Sequence, residues 1–324
     1  MAALVSILIP VYNRQSIIAE TLDSALAQSY SNIEVVVVDN ASTDGTWEVV
    51  QGYAQKDSRV KAFRNETNIG PVRNWLRCAK EARGEYSKIL FSDDLMAPEY
   101  IARALPLLHD PSVAFVYTAA YIGETMGEGI VAYAKNLKHQ YPIAEYFPQL
   151  KQVSVPYSPG AAIFRTVDIR KNLHDTFPTS SPCEFWRHGA GPDVMLYALT
   201  ALEYPLVAFV NEPLVFFRDH AQSITIINAN NEIIDGYRSA LSWFFARYLS
   251  RSDWIDYVAW QWLSEVRRRG SWVNPVDFTK DYEGTGSLKE EIQLGRRAII
   301  LMFSRLWKKI RSRFGTIAGA GGIS

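Results

Sequence analysis

The 324 residues carry 34 Lys and Arg against 34 Asp and Glu, a zero net charge that argues against general nucleic-acid binding. Cys78 and Cys183 are the only cysteines and stand far apart, which excludes a disulfide framework and a cysteine metal cluster. The length exceeds one average domain and accommodates either a sheet domain with a helical tail or two domains.

In chain order, Val5 to Ile9 is a short apolar run that Pro10 is expected to stop. It is too short for the apolar region of a signal peptide and lacks a basic lead, so it predicts a first strand. Ile17, Ile18, Leu22, Ala25 and Leu26 fall on one helical face. Ile33 to Val38 is a β-branched run ending in Asp39-Asn40. Ser42 or Thr43 is positioned to cap a helix with Trp47, Val50, Tyr53 and Ala54 inward. Arg59 to Phe63 predicts a short strand, and a helix from Pro71 stops at Gly84. Cys78 falls in that helical pattern, as a core position. Strand Tyr86–Phe91, helix Glu99–Leu108 and strand Val113–Tyr117 follow. Strands bare of polar alternation and separated by helices predict a mostly parallel central sheet covered on both faces, an α/β fold.

The carboxyl ends of these strands are acidic. Asp93 and Asp94 close an apolar strand where charge is normally avoided, at the edge where an α/β sheet opens its ligand crevice. Their hard oxygens suit Mg²⁺ or Mn²⁺ carrying a diphosphate. Asp39 ends the second strand as an acceptor for a base or ribose group. Tyr12 is suited to stack on a base and Asn13 to fix its edge. Taken singly, Asp39, Asn40 and Asp44 are better explained by turn and cap chemistry, whereas three acidic strand ends on one crevice are harder to explain that way. Neither turn carries a G-x-G-x-x-G fingerprint, which excludes a dinucleotide site of that kind.

Three segments complete a pattern with the Asp93-Asp94 turn: Val5-Ser6-Ile7-Leu8-Ile9-Pro10-Val11-Tyr12-Asn13, Val37-Val38-Asp39-Asn40-Ala41-Ser42-Thr43-Asp44-Gly45-Thr46, and Asn68-Ile69-Gly70-Pro71-Val72-Arg73-Asn74. In order and spacing, across residues 4 to 120, they resemble the family 2 glycosyltransferases of the GT-A nucleotide-sugar fold. The resemblance implies that Pro10, Tyr12, Asn13, Asp39, Asn40, Ser42, Asn68, Gly70, Asn74 and Asp93 bind the nucleotide-sugar. It implies Asp93 and Asp94 at the metal, without settling which of them contacts the ribose. Many relatives carry Asp-x-Asp-Asp at that turn; here Phe91-Ser92 replaces the first acidic position.

The resemblance extends more weakly into the second half. Pro156 to Arg165 is similar to the segment that shapes the acceptor side. Gly189-Ala190-Gly191-Pro192-Asp193-Val194-Met195-Leu196 is similar to a second acidic motif in which Asp193 would serve as catalytic base, with Glu184 the runner-up. An Asp ahead of an apolar helix is also an ordinary cap. Phe216-Phe217-Arg218-Asp219-His220 implies Arg218 as a phosphate partner and His220 as a further metal ligand or a contact to the diphosphate, although a lone histidine is more often a surface or structural residue. The implied division is a GT-A domain over 1–225, with a nucleotide-binding half at 1–120 and an acceptor-side half at 121–225. A helical region follows over 226–324.

The implied reaction is inverting, metal-dependent transfer from a nucleoside-diphosphate sugar to a saccharide or polyprenyl-linked acceptor, in bacterial surface polysaccharide synthesis. UDP is the commonest nucleotide among such relatives. A catalytically silent nucleotide-sugar-binding relative is the alternative; a degraded site would be free to lose Asp193, and the chain keeps it. A nucleotidyltransferase lacks support because no Gly-rich loop follows the first strand. A processive polymer synthase lacks it because no Gln-x-x-Arg-Trp motif appears. From Arg296 to Phe314, seven Lys or Arg without an acid flank an apolar stripe of Ile299, Phe303, Leu306, Ile310 and Phe314. That pattern fits an anionic membrane surface and a peripheral place on the inner face of the cell membrane, or a helix docked on the protein. An aromatic stretch from Trp243 to Trp262 serves core packing, an acceptor channel or a homo-oligomer contact, uses that the sequence does not separate.

Overall fold

The computed structural model describes residues 2–125, 128–134, 139–179, 183–219 and 231–274, together with 278 and 297. It divides into two units, residues 1–177 with 183–237, and residues 178–182 with 238–324. In the first unit the order is β1 (Val5–Val11), α1 (Ile18–Leu26), β2 (Ile33–Asp39), α2 (Thr46–Lys56), β3 (Val60–Arg64), α3 (Pro71–Glu81), β4 (Tyr86–Ile89), β5 (Leu95–Met96), α4 (Tyr100–Leu108) and β6 (Val113–Gly123). There follow β7 (Ile130–Ala132), β8 (Gln140–Pro142), α5 (Ile143–Lys151), β9 (Ala162–Arg165), α6 (Thr166–Asn172), α7 (Phe185–His188), α8 (Pro192–Ala201) and β10 (Leu206–Arg218). Helix α9 (Asn231–Tyr248) begins in this unit, and α10 (Arg251–Arg269) belongs to the second.

One sheet runs β3-β2-β1-β4-β9-β6-β10-β5. Strands β3, β2, β1 and β4 pair in parallel, as near-continuous Val and Ile runs buried on both faces dictate. Every residue of β1 and β2 is buried. Beyond them the sheet is mixed: β9 runs antiparallel between β4 and β6, while β10 returns parallel to β6. Cys78 is buried, as its place in the α3 pattern predicts.

Two local expectations need correction. Pro10 does not stop β1, which continues to Val11. Leu8 bonds toward β4 and Val11 toward the β2 side, so alternation points the donor-less Pro10 nitrogen toward β4. Strand β4 has already ended at Ile89, and the missing N–H therefore costs no ladder bond. The second concerns α2, which neither Ser42 nor Thr43 caps. Ser42 Oγ instead accepts from Asn13 N at 2.9 Å, and Asp44 Oδ1 accepts from Thr46 N at 3.0 Å.

Lys88, in the middle of β4, is fully buried. Its ammonium donates to the carbonyls of Gly160 and Ile89 and lies 4.9 Å from the centre of the Tyr100 ring. Burial pushes its pKa down to about 7, with Asp94 opposing.

In the second unit Trp254, Tyr257 and Trp262 of the aromatic stretch are buried, as core packing requires. Buried Glu265 receives Arg238 at 2.6 Å, Arg268 at 2.5 Å and Arg269 at 2.6 Å, which holds its carboxyl far below the ordinary range. No helix among the described residues is long and apolar enough to cross a membrane.

Candidate functional site

Parallel pairing brings the carboxyl ends of β1, β2 and β4 to one edge, where β1 and β4 part after Leu8 and Ile89. A cavity of about 660 Å³ opens there, with Pro10, Tyr12, Trp75, Asp93, Asp193 and Tyr237 among its walls. Of the residues predicted at the site, Pro10, Tyr12, Asn40, Asn68, Asn74, Asp93, Asp94, Asp193 and Arg218 line it. Asn13, Asp39, Ser42 and Gly70 are not among its lining residues. His220 and all of Arg296–Phe314 except Arg297 lie outside the described residues.

The residues not lining the cavity build its rim. Asp39 is fully buried, accepts from Ser42 N at 3.2 Å and pairs with Arg64 Nε at 3.0 Å. Asn13 Oδ1 accepts from Thr43 N at 2.9 Å, closing the β1 and β2 loops on each other. The same clasp seats Arg14, whose backbone N donates to Thr46 Oγ1 at 2.8 Å. Gly70 precedes α3 and donates its N–H to Asn68 Oδ1 at 2.9 Å. Asn65 joins Asn40 at 3.0 Å and Asn74 at 2.9 Å, so buried amides fix the floor below Asn68.

The acidic turn is clipped from both sides. Antiparallel pairing of β5 with the end of β10 carries Arg218 to it. Arg218 N donates to Asp94 Oδ1 at 3.1 Å, its Nε donates to the Asp93 carbonyl at 3.1 Å, and its guanidinium pairs with Glu20 at 2.6 Å. Arg14 reaches Asp93 Oδ2 at 3.4 Å, while its buried Nε has no hydrogen-bond partner among the described residues. Burial, then the neighbouring Asp93 charge, push the Asp94 carboxyl well above the ordinary range. Two adjacent hard-oxygen donors that resist carrying two bare charges fit a divalent cation. The described residues hold no cluster of three or more His, Cys, Asp or Glu, and His220 lies outside them.

Asp193 stands in the first turn of α8, its Oδ1 accepting from Gly191 N at 2.9 Å and Val194 N at 2.7 Å. Its Oδ2 accepts from Tyr237 Oη at 2.5 Å. Burial pushes its pKa up to about 7, and these three donors oppose the rise. Such a carboxylate is matched to accepting a proton near neutrality. Glu184 does not line the cavity and pairs with Arg187 at 2.7 Å on the surface.

Sequence reasoning gave no role to Arg14, Trp75, Lys88 or Tyr237. Arg14 follows the first motif directly, and its position was the available signal. Trp75 packs against Phe91 at the start of the acidic turn, with ring centroids 5.2 Å apart. Gly189, at φ +80°, lies where a Cβ would collide with the Trp75 ring. Gly189→Ala should therefore cost about 1–3 kcal/mol, seen as a Tm several degrees lower, and an unchanged Tm would show that the contact yields freely.

The sequence model of the family described as "Glycosyl transferase family 2" matches residues 6–171, slightly more than half of the chain. The UDP-Glc:alpha-D-GlcNAc-diphosphoundecaprenol beta-1,3-glucosyltransferase WfaP of Escherichia coli is 36% identical over 119 residues, 37% of this chain and 47% of that protein. The chain spans less than half the length of this and other curated relatives it matches. Among solved structures, S. aureus TarS in complex with UDP-GlcNAc superposes with a TM-score of 0.64 at 19% identity, covering 91% of this chain and 79% of that one. The mannosyltransferase PcManGT of Pyrobaculum calidifontis, in complex with GDP-Man and Mn2+, gives a TM-score of 0.60 at 18% identity, covering 96% and 85%. At these identities the likeness concerns the fold, α/β with a central sheet flanked by helices.

Proposed function

Because the chain belongs to glycosyl transferase family 2, we propose that it transfers a sugar, with inversion and metal dependence, from a nucleoside-diphosphate sugar to a saccharide or polyprenyl-linked acceptor. The observation that carries this reading is that the Asp93-Asp94 turn and Asp193 line one cavity at the carboxyl edge of the sheet. Residues 1–225 form the catalytic domain in this reading. One relative named for glucosyl transfer to a GlcNAc-diphosphoundecaprenol and another named for teichuronic acid biosynthesis support a place in bacterial surface polysaccharide synthesis. The basic amphipathic segment from Arg296 supports attachment to the inner face of the membrane.

The chain's own groups account for the chemistry. Tyr12 and the Asn68 side chain receive the nucleoside, and Arg14, whose Nε has no partner among the described residues, and Arg218 face the diphosphate. Asp93 and Asp94 would hold Mg²⁺ or Mn²⁺, which neutralises charge on a departing diphosphate. Asp193 accepts the proton of the acceptor hydroxyl as that oxygen attacks the anomeric carbon and the bond to the diphosphate breaks. A base works only when deprotonated. The rate should therefore fall about tenfold per pH unit below a limb near pH 7 and level off above it. A flat profile from pH 5 to 8 would remove Asp193 from the role.

The test is thermal stabilisation by UDP, GDP, TDP and CMP, each with and without Mn²⁺. A rise with one nucleoside diphosphate that requires the metal is expected. Stabilisation equal with and without Mn²⁺ would overturn metal dependence, and none with any nucleotide would overturn the donor reading.

A further inference from the structure

Helix α9 lies beyond residues 6–171, which the family shares, yet it supplies the one side chain bonded to Asp193 among the described residues. We infer that Tyr237 is the positioning residue of the proposed base, held in register by close docking of Gly236 on the Gly189–Gly191 turn. The inference rests on the reading of Asp193 given above.

The geometry has two independent parts. Tyr237 Oη lies 2.5 Å from Asp193 Oδ2, and Oδ1 is fixed separately by Gly191 N and Val194 N. The carboxylate is thus held at both oxygens, which sets the direction in which its remaining lone pairs face the cavity. One residue earlier, a Cβ on Gly236 would meet the Ala190 carbonyl oxygen at 2.7 Å and His188 Cε1 at 2.8 Å. Only glycine lets α9 come this close to the turn that carries Asp193, and that approach brings Tyr237 within bonding distance. The Tyr237 ring is supported in turn by Tyr157, with centroids 5.2 Å apart.

The groups whose titration responds to the Asp193 charge are phenols. Two further titratable groups lie on the same cavity: His188, which meets Gly236 at the docking contact and has its pKa pushed down by burial, and Tyr133. Tyr237 comes from α9, Tyr157 precedes the Pro159–Ala161 turn, and Tyr197 lies on α8 itself. Each has its own pKa pushed up, burial first and Asp193 contributing, so each stays protonated across the working range. No ammonium or guanidinium is bonded to Asp193 among the described residues. Tyr237 is accordingly a constant donor that favours the charged form of the base without neutralising it. An ion pair in its place would make the carboxylate a poorer base at neutral pH.

The experiment compares wild type, Tyr237→Phe, Asp193→Asn and the double variant by Tm from pH 5 to 9, which needs no substrate. Phenylalanine keeps the ring on Tyr157 and removes one O–H. The Asp193-dependent part of the wild-type curve is the difference from Asp193→Asn. In Tyr237→Phe this part should shift by about one unit to higher pH, and in the Asp193→Asn background the same change should produce no pH-dependent effect. A midpoint that stays in place, or an equal shift without Asp193, would overturn the inference. Release of nucleoside diphosphate from UDP-glucose, UDP-N-acetylglucosamine or GDP-mannose separates the two readings. Full turnover by Asp193→Asn removes the base while leaving the Tm result to judge Tyr237. Loss of turnover with an unshifted Tyr237→Phe limb keeps the base and removes its positioning residue. Gly236→Ala should reproduce the Tyr237→Phe shift if docking sets the register.

Discussion

Replacing Asp193 with asparagine should cut glycosyl transfer by about three orders of magnitude while leaving nucleotide affinity unchanged within about twofold. General-base assistance contributes about 10²–10⁴ in rate, and asparagine cannot accept the proton. Its carbonyl can still accept from Gly191 N and Val194 N, so the start of α8 is preserved. The variant should also be more stable than wild type above neutrality. Burial lifts the Asp193 pKa from 3.8 to about 7 in the folded chain. Between those values the folded state binds more protons than the unfolded one, so stability falls as pH rises through that window. Asparagine removes this loss. Its Tm should exceed that of wild type by a few degrees at pH 8, and the gap should close near pH 4. A constant gap at all pH values would mean that Asp193 does not titrate as its burial demands. Undiminished turnover would move the base elsewhere.

The second large effect is expected at the acidic turn. With Asp93→Asn and Asp94→Asn together, Mn²⁺ should no longer raise nucleotide affinity, and affinity measured with the metal should fall at least about tenfold. Calorimetric titration of nucleotide with and without Mn²⁺ reads this directly. Affinity that keeps its wild-type response to Mn²⁺ would overturn the metal assignment. The single change Asp94→Asn separates electrostatics from coordination. Asparagine at 94 can still accept from Arg218 N, and it relieves the repulsion between two neighbouring carboxylates. The metal-free single variant should therefore be at least as stable as wild type, although its response to the metal is weakened.

Much of the first hundred residues is legible in sequence because hydrophobic runs and their breaks are local. Strand β2 is a row of Val residues bounded by Asn32 and Asn40, and no distant contact is needed to recognise it. The acidic turn is legible for the converse reason, since two charges closing an apolar strand conflict with burial. Strand β9 is harder: its Ala162–Arg165 run has no alternation, and its antiparallel place between β4 and β6 depends on the sheet around it. Lys88 contradicts the apolar expectation for β4 because backbone carbonyls and an aromatic face replace water around its ammonium. Asp39 reads from sequence as an acceptor at a strand end, but its pairing with Arg64 from the neighbouring strand is visible only in the fold. Tyr237 gives no signal at all. It lies 44 positions from Asp193, and only the fold joins them.

Helix α9 limits how this chain can be cut and recombined. A boundary drawn after Arg218, where the sheet ends, keeps the acidic turn and Asp193 but discards the phenol bonded to that carboxylate. A chimaera that exchanges the C-terminal region for another inherits whatever residue stands at position 237, and with it a different proton affinity at Asp193. Grafts joined beyond the opening turns of α9 should keep the native pH response, and grafts joined before it should not. Lineages that trade C-terminal regions would thus have to trade these opening turns as part of the proposed site.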